Sequence, residues 1–241
     1  MRILFVTKRR YTGKDLINDR YGRLFEFISG LSRRGHILSV VCVEYGNLTP
    51  TVLPAGPETP NVTWHVRHTG ANLAWGLWAQ VRHAERIATG FMPDVVLSAS
   101  DAFNVWLGDR LACMLDVPHV ADLYDNFEAF RATALPGVKW AFRRALRRCA
   151  AIVAVSEPLA RLVANTVRPQ GTVVAVGNGV DMARFHPGDR LAARALLGLP
   201  TDARLIGTTG ASSLGVTRTG CRSCLQSGLS IRSPLLPSEG G

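Results

Sequence analysis

Arg2-Ile3-Leu4-Phe5-Val6-Thr7 opens the chain, Leu24, Phe27, Ile28 and Leu31 follow at helical spacing within residues 21–34, and residues 37–43 form a second apolar run after Gly35. The first run is short, β-rich and apolar throughout, as expected of a parallel strand buried on both faces. The middle segment repeats its apolar residues every three to four positions and stops at a glycine, the residue that most easily ends a helix. Strand, helix and strand in that order make a βαβ unit, and the pattern recurs downstream. Helices are predicted over 75–89, 102–115, 138–148 and 158–166, interleaved with strands over 95–97, 118–123, 151–155 and 172–176. Such alternation implies an α/β fold built on a doubly wound, mostly parallel sheet.

Past Val180 the signals change. Asp181 and Pro187 bracket a linker-like stretch, a short helix is expected over 190–197, and Arg204-Leu205-Ile206-Gly207-Thr208 reads as a new strand ending at Gly210. Residues 212–241 are dominated by Ser, Leu, Gly, Arg and Pro and sustain neither a period of 2 nor one of 3.6, so no element is expected there. The organisation expected is therefore one Rossmann-like domain over 1–180, a linker with a short helix over 181–202, the first strand of a second α/β domain over 203–211, and an irregular tail. The length agrees, since 241 residues at roughly 150 per domain is one full domain and part of another. The tail's richness in residues with many codons suggests a shifted reading frame or an aberrant terminus; the alternative is a genuine short, flexible tail.

With 47% apolar and 19% charged residues, the chain can bury a sizeable core and is not a disordered sequence. Its formal net charge of +10 favours anionic partners: phosphates, acidic lipid or nucleic acid. The five cysteines are an odd number, and Cys42, Cys113 and Cys149 lie in apolar stretches where a thiol behaves as a small core residue, which suits a reduced, cytoplasmic chain. The apolar run before Lys8, Arg9 and Arg10 is too short for a signal peptide, and none elsewhere approaches the roughly 18 residues of a membrane span. Cys221 and Cys224 have C-x-x-C spacing with no second pair or nearby histidines, so no metal site is expected.

Three segments carry a family resemblance: Arg34-Gly35-His36, Val155-Ser156-Glu157-Pro158-Leu159, and above all Gly177-Asn178-Gly179-Val180-Asp181 followed by Phe185 and Pro187. Together they resemble the family-4-like retaining glycosyltransferases of the GT-B fold, over about residues 1–211. The resemblance implies two facing Rossmann-like domains, the first holding the acceptor and the second holding a nucleotide-sugar donor, with no cofactor beyond that co-substrate. It implies a hexosyl transfer to a glycan or lipid-linked acceptor, as in polysaccharide biosynthesis. Such enzymes also use a basic residue soon after the first strand of the second domain and two glutamates separated by seven residues. After Ala211 the only acidic residue is Glu239, so a chain of these residues alone is expected to be inactive.

The loop after the first strand is polar and cationic and lies where the binding crevice of a doubly wound sheet forms. Arg9, Lys14, Asn18, Asp19 and Arg20 are accordingly candidates for holding an anionic acceptor, although relatives often carry a Gly-Gly turn here; alternatively the loop is merely solvated and Asp19 caps the helix. In Asp122-Leu123-Tyr124-Asp125-Asn126-Phe127-Glu128, the resemblance places Tyr124 where relatives carry a histidine facing the reacting sugar and Asp125 on the aspartate beside it. These two are the candidate catalytic residues, with Asn126 and Glu128 as acceptor contacts. A phenol titrates near about 10 and is a poor general base at neutral pH, so Tyr124 suits positioning better than proton abstraction. The competing account makes Asp122 and Asp125 helix caps.

Ser156, Glu157, Asn178, Gly179 and Gly210 fall, by resemblance, on the donor side of the cleft; Ser156 and Glu157 also suit an N-cap and first-turn acid before Pro158. In residues 138–148, Arg143, Arg144, Arg147 and Arg148 are expected on one helix face around Trp140, opposite Phe142, Ala145, Leu146 and Cys149. That cationic, Trp-tipped face suits an anionic membrane surface, hence a peripheral location at its inner side. A rival account is a non-catalytic domain that binds an anionic glycan, lipid headgroup or nucleotide. Nucleic acid is not expected, because the basic residues are not interleaved with aromatics in a recognised motif.

Overall fold

The computed structural model describes residues 1–11, 14–20, 22–45, 51–53, 59–180, 182, 185–202, 206–209 and 229–232. Its centre is β1 (Arg2–Lys8), which pairs in parallel with β4 (Ile37–Glu44) on one side and β7 (Val95–Ala99) on the other, so that Phe5 stands opposite Val40 and Leu97. Successive side chains of a strand point to opposite faces, and both faces of β1 are covered. Ile3 and Phe5 pack with Leu24, Phe25 and Ile28 of α1 (Gly22–Arg33). Leu4 and Val6 pack with Ala84 and Ala88 of α2 (Leu73–Phe91) and Leu107 and Leu111 of α3 (Ala102–Leu115). That double burial is why the run is apolar without alternation. Gly35, just past α1, has φ +82°, which a residue with a side chain rarely adopts.

Beyond β4 the sheet continues with β6 (Val62–His68), parallel, and ends in β5 (Thr51–Leu53), antiparallel. Beyond β7 lie β8 (His119–Leu123), β9 (Ala151–Ala154) and β10 (Thr172–Ala175), all parallel. The eight-stranded order is β10-β9-β8-β7-β1-β4-β6-β5. The fold is thus α/β and doubly wound, with one antiparallel edge strand. A further core joins α3 to α4 (Val138–Arg148) and α5 (Glu157–Val167) through Phe142, Leu146, Ile152 and Leu159.

Several expectations need correction. The strand over Val62–His68 was not anticipated, although Val62, Trp64, Val66 and His68 alternate inward against outward-facing Thr63. Its interspersed His, Arg and Thr hide it, because a strand near the sheet edge is only half covered. Cys42 and Cys149 are buried, but Cys113 is exposed on α3 rather than in the core. Two small strands, β2 (Arg10–Tyr11) and β3 (Lys14–Asp15), form a hairpin within the loop after β1.

The chain divides into two compact units, residues 1–179 and 180–241. The second contains α6 (Arg190–Leu196), none of whose residues is buried, and β11 (Ile206–Thr209) paired antiparallel with β12 (Leu229–Arg232). A strand therefore lies within the segment expected to hold none. Gly210 and the C-x-x-C pair fall outside the described residues.

Candidate functional site

The chain runs outward from β1 through β4 to β6, then returns to β7 on the other side of β1. Strand order reverses between β1 and β7, and at such a point the carboxyl ends of the strands open a crevice. Lys8 ends β1, and its backbone N–H donates to Ser100 Oγ at 2.9 Å. Ser100 is fully buried and holds φ +87°, a conformation that costs a residue with a side chain about 1–3 kcal/mol and clusters at functional sites. Its geometry is held from several directions: the Tyr124 hydroxyl donates to its carbonyl at 3.0 Å, and Asn104 Nδ2 donates to its Oγ at 3.3 Å.

Asp101 follows Ser100 and caps α3, accepting from the Asn104 N–H at 2.9 Å. The Tyr45 hydroxyl donates to its other oxygen at 3.2 Å. Burial pushes the Asp101 carboxyl above its ordinary value, against the Asn104 hydrogen bonds and the nearby Lys8 charge. Asn104 Oδ1 is buried and has no partner among the described residues. None of Lys8, Ser100, Asp101 or Asn104 was singled out in the sequence; the usable signal was Ser-Asp directly after an apolar strand.

The loop between β1 and α1 is tied down by its own charges. Arg9, whose side chain is 13% exposed, lies 2.9 Å from Asp15 and 3.1 Å from Glu44, so it is neutralised rather than free for an acceptor. Despite the penalty of burial, the Arg9 guanidinium and the N–H groups of Asn18 and Ile17 hold Asp15 below the usual carboxylate range. Asn18 Nδ2 also reaches Asp15, at 3.4 Å. Asp19 does not cap α1, which starts at Gly22; its carboxylate accepts from the Asp15 N–H at 2.8 Å. Lys14 is exposed and Arg20 adopts φ +49° at the approach to α1.

Arg23, in the first turn of α1, forks onto Asp122 at the end of β8 with Nη2–Oδ1 2.8 Å and Nε–Oδ2 3.1 Å. Its Nη1 donates to the Val176 carbonyl at 2.6 Å and to Asn178 Oδ1 at 3.3 Å. One guanidinium thereby joins α1, β8 and the segment after β10. Burial raises the Asp122 pKa against the stabilising pull of Arg23, and Asp122 is an ion-pair partner, not a helix cap.

Asp125 is exposed and accepts from the Asn126 N–H at 2.7 Å, while Asn126 Oδ1 accepts from the Glu128 N–H at 3.2 Å and caps a short 3-10 turn. Glu128 is gripped by Arg143 at 2.7 and 2.8 Å and by Lys139 at 3.3 Å, and the Arg143 hydrogen bonds hold it below its ordinary pKa. A small cleft is lined by Asp125, Asn126, Glu128 and Thr166 together with the apolar Phe142, Leu146 and Leu159. Ser156 Oγ accepts from the Leu159 N–H at 3.4 Å and caps α5, and Glu157 is exposed in its first turn. Gly179 is exposed with open space around it.

On α4, Phe142, Ala145 and Leu146 face the core as expected, but the four arginines are not equivalent. Arg143 turns to Glu128, Arg147 Nε donates to the Val167 carbonyl at 3.1 Å and Arg148 lies 3.5 Å from Asp109. Arg144 sits over the Trp140 ring, 5.5 Å from its centroid. No helix among the described residues is long and apolar enough to cross a membrane, and no described cluster of His, Cys, Asp and Glu could hold a metal ion.

A model of Glycosyltransferase Family 4 matches residues 23–184. Among solved structures, sucrose-phosphate synthase of Thermosynechococcus elongatus aligns with TM-score 0.61 and 13% identity, over 84% of this chain and 53% of its own. A trehalose-6-phosphate protein of E. coli bound with UDP-2-fluoro glucose aligns with TM-score 0.52 and 12% identity, over 82% and 54%. The HepE protein of Anabaena, in complex with UDP and glucose, aligns with TM-score 0.52 and 17% identity, over 81% and 50%. The chain thus spans about half the length of these structures, and its fold is of the GT-B, Rossmann-like type. No curated protein matches it by sequence.

Proposed function

Because this chain belongs to Glycosyltransferase Family 4, we propose that residues 1–179 form the acceptor-holding half of a hexosyltransferase that uses a nucleotide-sugar donor and retains configuration at the anomeric carbon. In the transfer, the bond from sugar C1 to the diphosphate oxygen breaks, a bond from C1 to the acceptor oxygen forms, and the acceptor hydroxyl proton leaves with the diphosphate. The observation that carries this reading is the strained, buried Ser100 at the β1–β7 switch point, whose Oγ accepts from the Lys8 N–H at the end of β1 and which directly precedes Asp101. Asp101 and Asp125 accept hydrogen bonds from acceptor hydroxyls. Tyr124 positions the crevice wall through Ser100 and donates no catalytic proton. Ser156, Glu157, Asn178 and Gly179 belong to the donor side.

The acceptor is a glycan or a lipid-linked sugar, and the enzyme works peripherally at the cytoplasmic membrane face, with Trp140 and Arg144 of α4 toward the lipid. The paired glutamates expected of a donor site cannot be drawn from residues 212–241, so a polypeptide of these 241 residues binds acceptor without consuming donor. Saturation-transfer NMR of the chain with glycan and lipid-diphosphate sugars tests this. Binding that weakens about tenfold in Asp101→Asn or Asp125→Asn is expected from the loss of a charge-assisted hydrogen bond. Equal binding by parent and both variants refutes the acceptor assignment, and turnover of a nucleotide sugar by these 241 residues refutes only their inactivity.

A further inference from the structure

Four of the five tryptophans lie on the helical layer of α2, α3 and α4: Trp75 and Trp78, Trp106, and Trp140. These three helices carry eight Lys and Arg against two acids, a net +6 beside the whole chain's net +10. Both acids are buried and paired. Glu85 bonds Arg82 at 2.9 Å and Arg110 at 2.7 Å, and Asp109 lies 3.5 Å from Arg148. The outward side of the layer therefore offers an anion no unpaired carboxylate.

Its apolar groups are set among the charges. Trp75 and Trp78, 64% and 54% exposed, stack at 4.7 Å, and Trp140 is 64% exposed beneath the Arg144 guanidinium. Spacings of three and four put Trp75, Trp78, Arg82 and Arg86 along one stripe of α2. Exposed indoles are normally rare on a soluble surface, and indoles that share a helix face with arginines are the composition of helices that lie in a lipid interface. The platform is also rigidly placed. A Cβ at Gly76 would stand 2.0 Å from the Thr69 carbonyl oxygen, so the turn bearing Trp75 rests directly on backbone.

We propose that the α2–α3–α4 layer is a docking surface for an anionic bilayer, with the indoles of Trp75, Trp78 and Trp140 among the headgroups and Arg86 and Arg144 against lipid phosphates. This moves the membrane contact from α4 alone to a surface that α2 shares, and it rests on the peripheral-membrane part of the function proposed above. Charge complementarity selects the occupant: Glu128 takes up Lys139 and Arg143, but Arg86 and Arg144 are bonded to no carboxylate among the described residues, and such cations beside exposed indoles suit a sheet of phosphates.

The test is co-sedimentation of the 241-residue chain with vesicles of phosphatidylcholine and phosphatidylglycerol, with indole emission recorded. Expected are binding, a blue shift, release by salt, and none of these with phosphatidylcholine alone. Trp75→Ala with Trp78→Ala lowers partitioning about tenfold or more through lost apolar contact, and Arg86→Gln or Arg144→Gln lowers it about fivefold each. Equal binding to both vesicles, or parental binding by the double tryptophan variant, overturns the proposal. So does lipid-free self-association that this variant abolishes, because the surface is then a protein interface. Far-ultraviolet circular dichroism confirms that each variant is folded. No sugar enters this assay, so vesicle binding without glycan binding sinks the transferase reading and leaves this one, and the reverse result does the opposite.

Discussion

At the carboxyl edge of the sheet, Arg9 and Arg23 each lie about hydrogen-bond distance from buried carboxylates, 2.9 Å to Asp15 and 2.8 Å to Asp122. On the outer helical layer, Arg144 lies over Trp140 and Arg86 reaches only the Arg82 carbonyl, so neither is bonded to a carboxylate among the described residues. The residue type is the same and the physics is opposite. A guanidinium beside a buried carboxylate is an internal strut, whose charge is cancelled and whose loss strands its partner. A guanidinium on an exposed helix adds almost nothing to stability but keeps its charge for a partner. The net charge of +10 therefore misleads as a uniform property, because the positive field available to ligands comes from the helices more than from the crevice loop.

The largest difference is expected at Arg23. Replacing it with Met leaves Asp122 buried and unpaired, at a cost of about 3–5 kcal/mol, and also frees the Val176 carbonyl. Urea unfolding measures this, and adding Asp122→Leu recovers much of the loss because a well-packed apolar pair tolerates burial. A cost near that of an ordinary surface substitution would mean that the pair is solvated, and the contrast between struts and free charges would fail.

Gly76→Ala tests how firmly the outer platform is seated. The added methyl meets the Thr69 carbonyl oxygen at 2.0 Å, backbone that cannot turn aside, so the first turns of α2 must shift at a cost of about 1–3 kcal/mol. The same shift displaces the Trp75–Trp78 pair, so vesicle binding falls with stability. Unchanged stability and unchanged binding would show that α2 yields freely there.

The interior also holds the pH sensitivity. His119 is buried between Ser98 Oγ at 2.7 Å and Cys149 Sγ at 3.3 Å, and burial pushes its pKa down to about 4. Unfolded histidine titrates near about 6.5, so between the two values the unfolded chain binds a proton that the folded chain refuses. Stability is full above pH about 6.5, falls as pH drops below it and levels off near 4, a loss of about 2 kcal/mol between pH 7.5 and 5. Urea midpoints at those two pH values measure it, and replacing His119 with Gln removes this share of the dependence while leaving that of His83, which burial also pushes down to about 4.

How far the sequence revealed these features follows from the range of the interactions. Strands buried on both faces need no partner to be recognised, so Arg2–Lys8 and Ile37–Glu44 were legible. Val62–His68 was not, since polar residues on its half-covered face dilute the apolar signal. The struts were invisible for another reason. Arg23 and Asp122 are 99 residues apart, and Arg9 and Glu44 are 35 apart, so no local pattern ties the partners together. Asp122 consequently read as a helix cap and Arg9 as a free cation. Ser100 was equally hidden, because a left-handed φ on serine is imposed by the hydrogen bonds that surround it, not by its own preference.

The smallest stability effect belongs to Arg86→Gln and Arg144→Gln, and there the comparison can be sharpened most. Both side chains lie on exposed helix faces without a bonded carboxylate, so each substitution should move unfolding by no more than about 0.5 kcal/mol. If the outer layer meets lipid, the same substitutions must still flatten the salt dependence of vesicle binding, since each removes one charge that competes with ions in solution. Arg9→Gln gives the opposite signature. It leaves Asp15 and Glu44 with only one arginine, the more exposed Arg10, 4.0 and 2.8 Å away, and so costs stability, yet it leaves that salt dependence unchanged, because the Arg9 charge is already cancelled by its neighbours. A salt dependence that follows Arg9 rather than Arg86 and Arg144 would return the anion-binding surface to the crevice loop and reverse the roles assigned to the two groups of arginines.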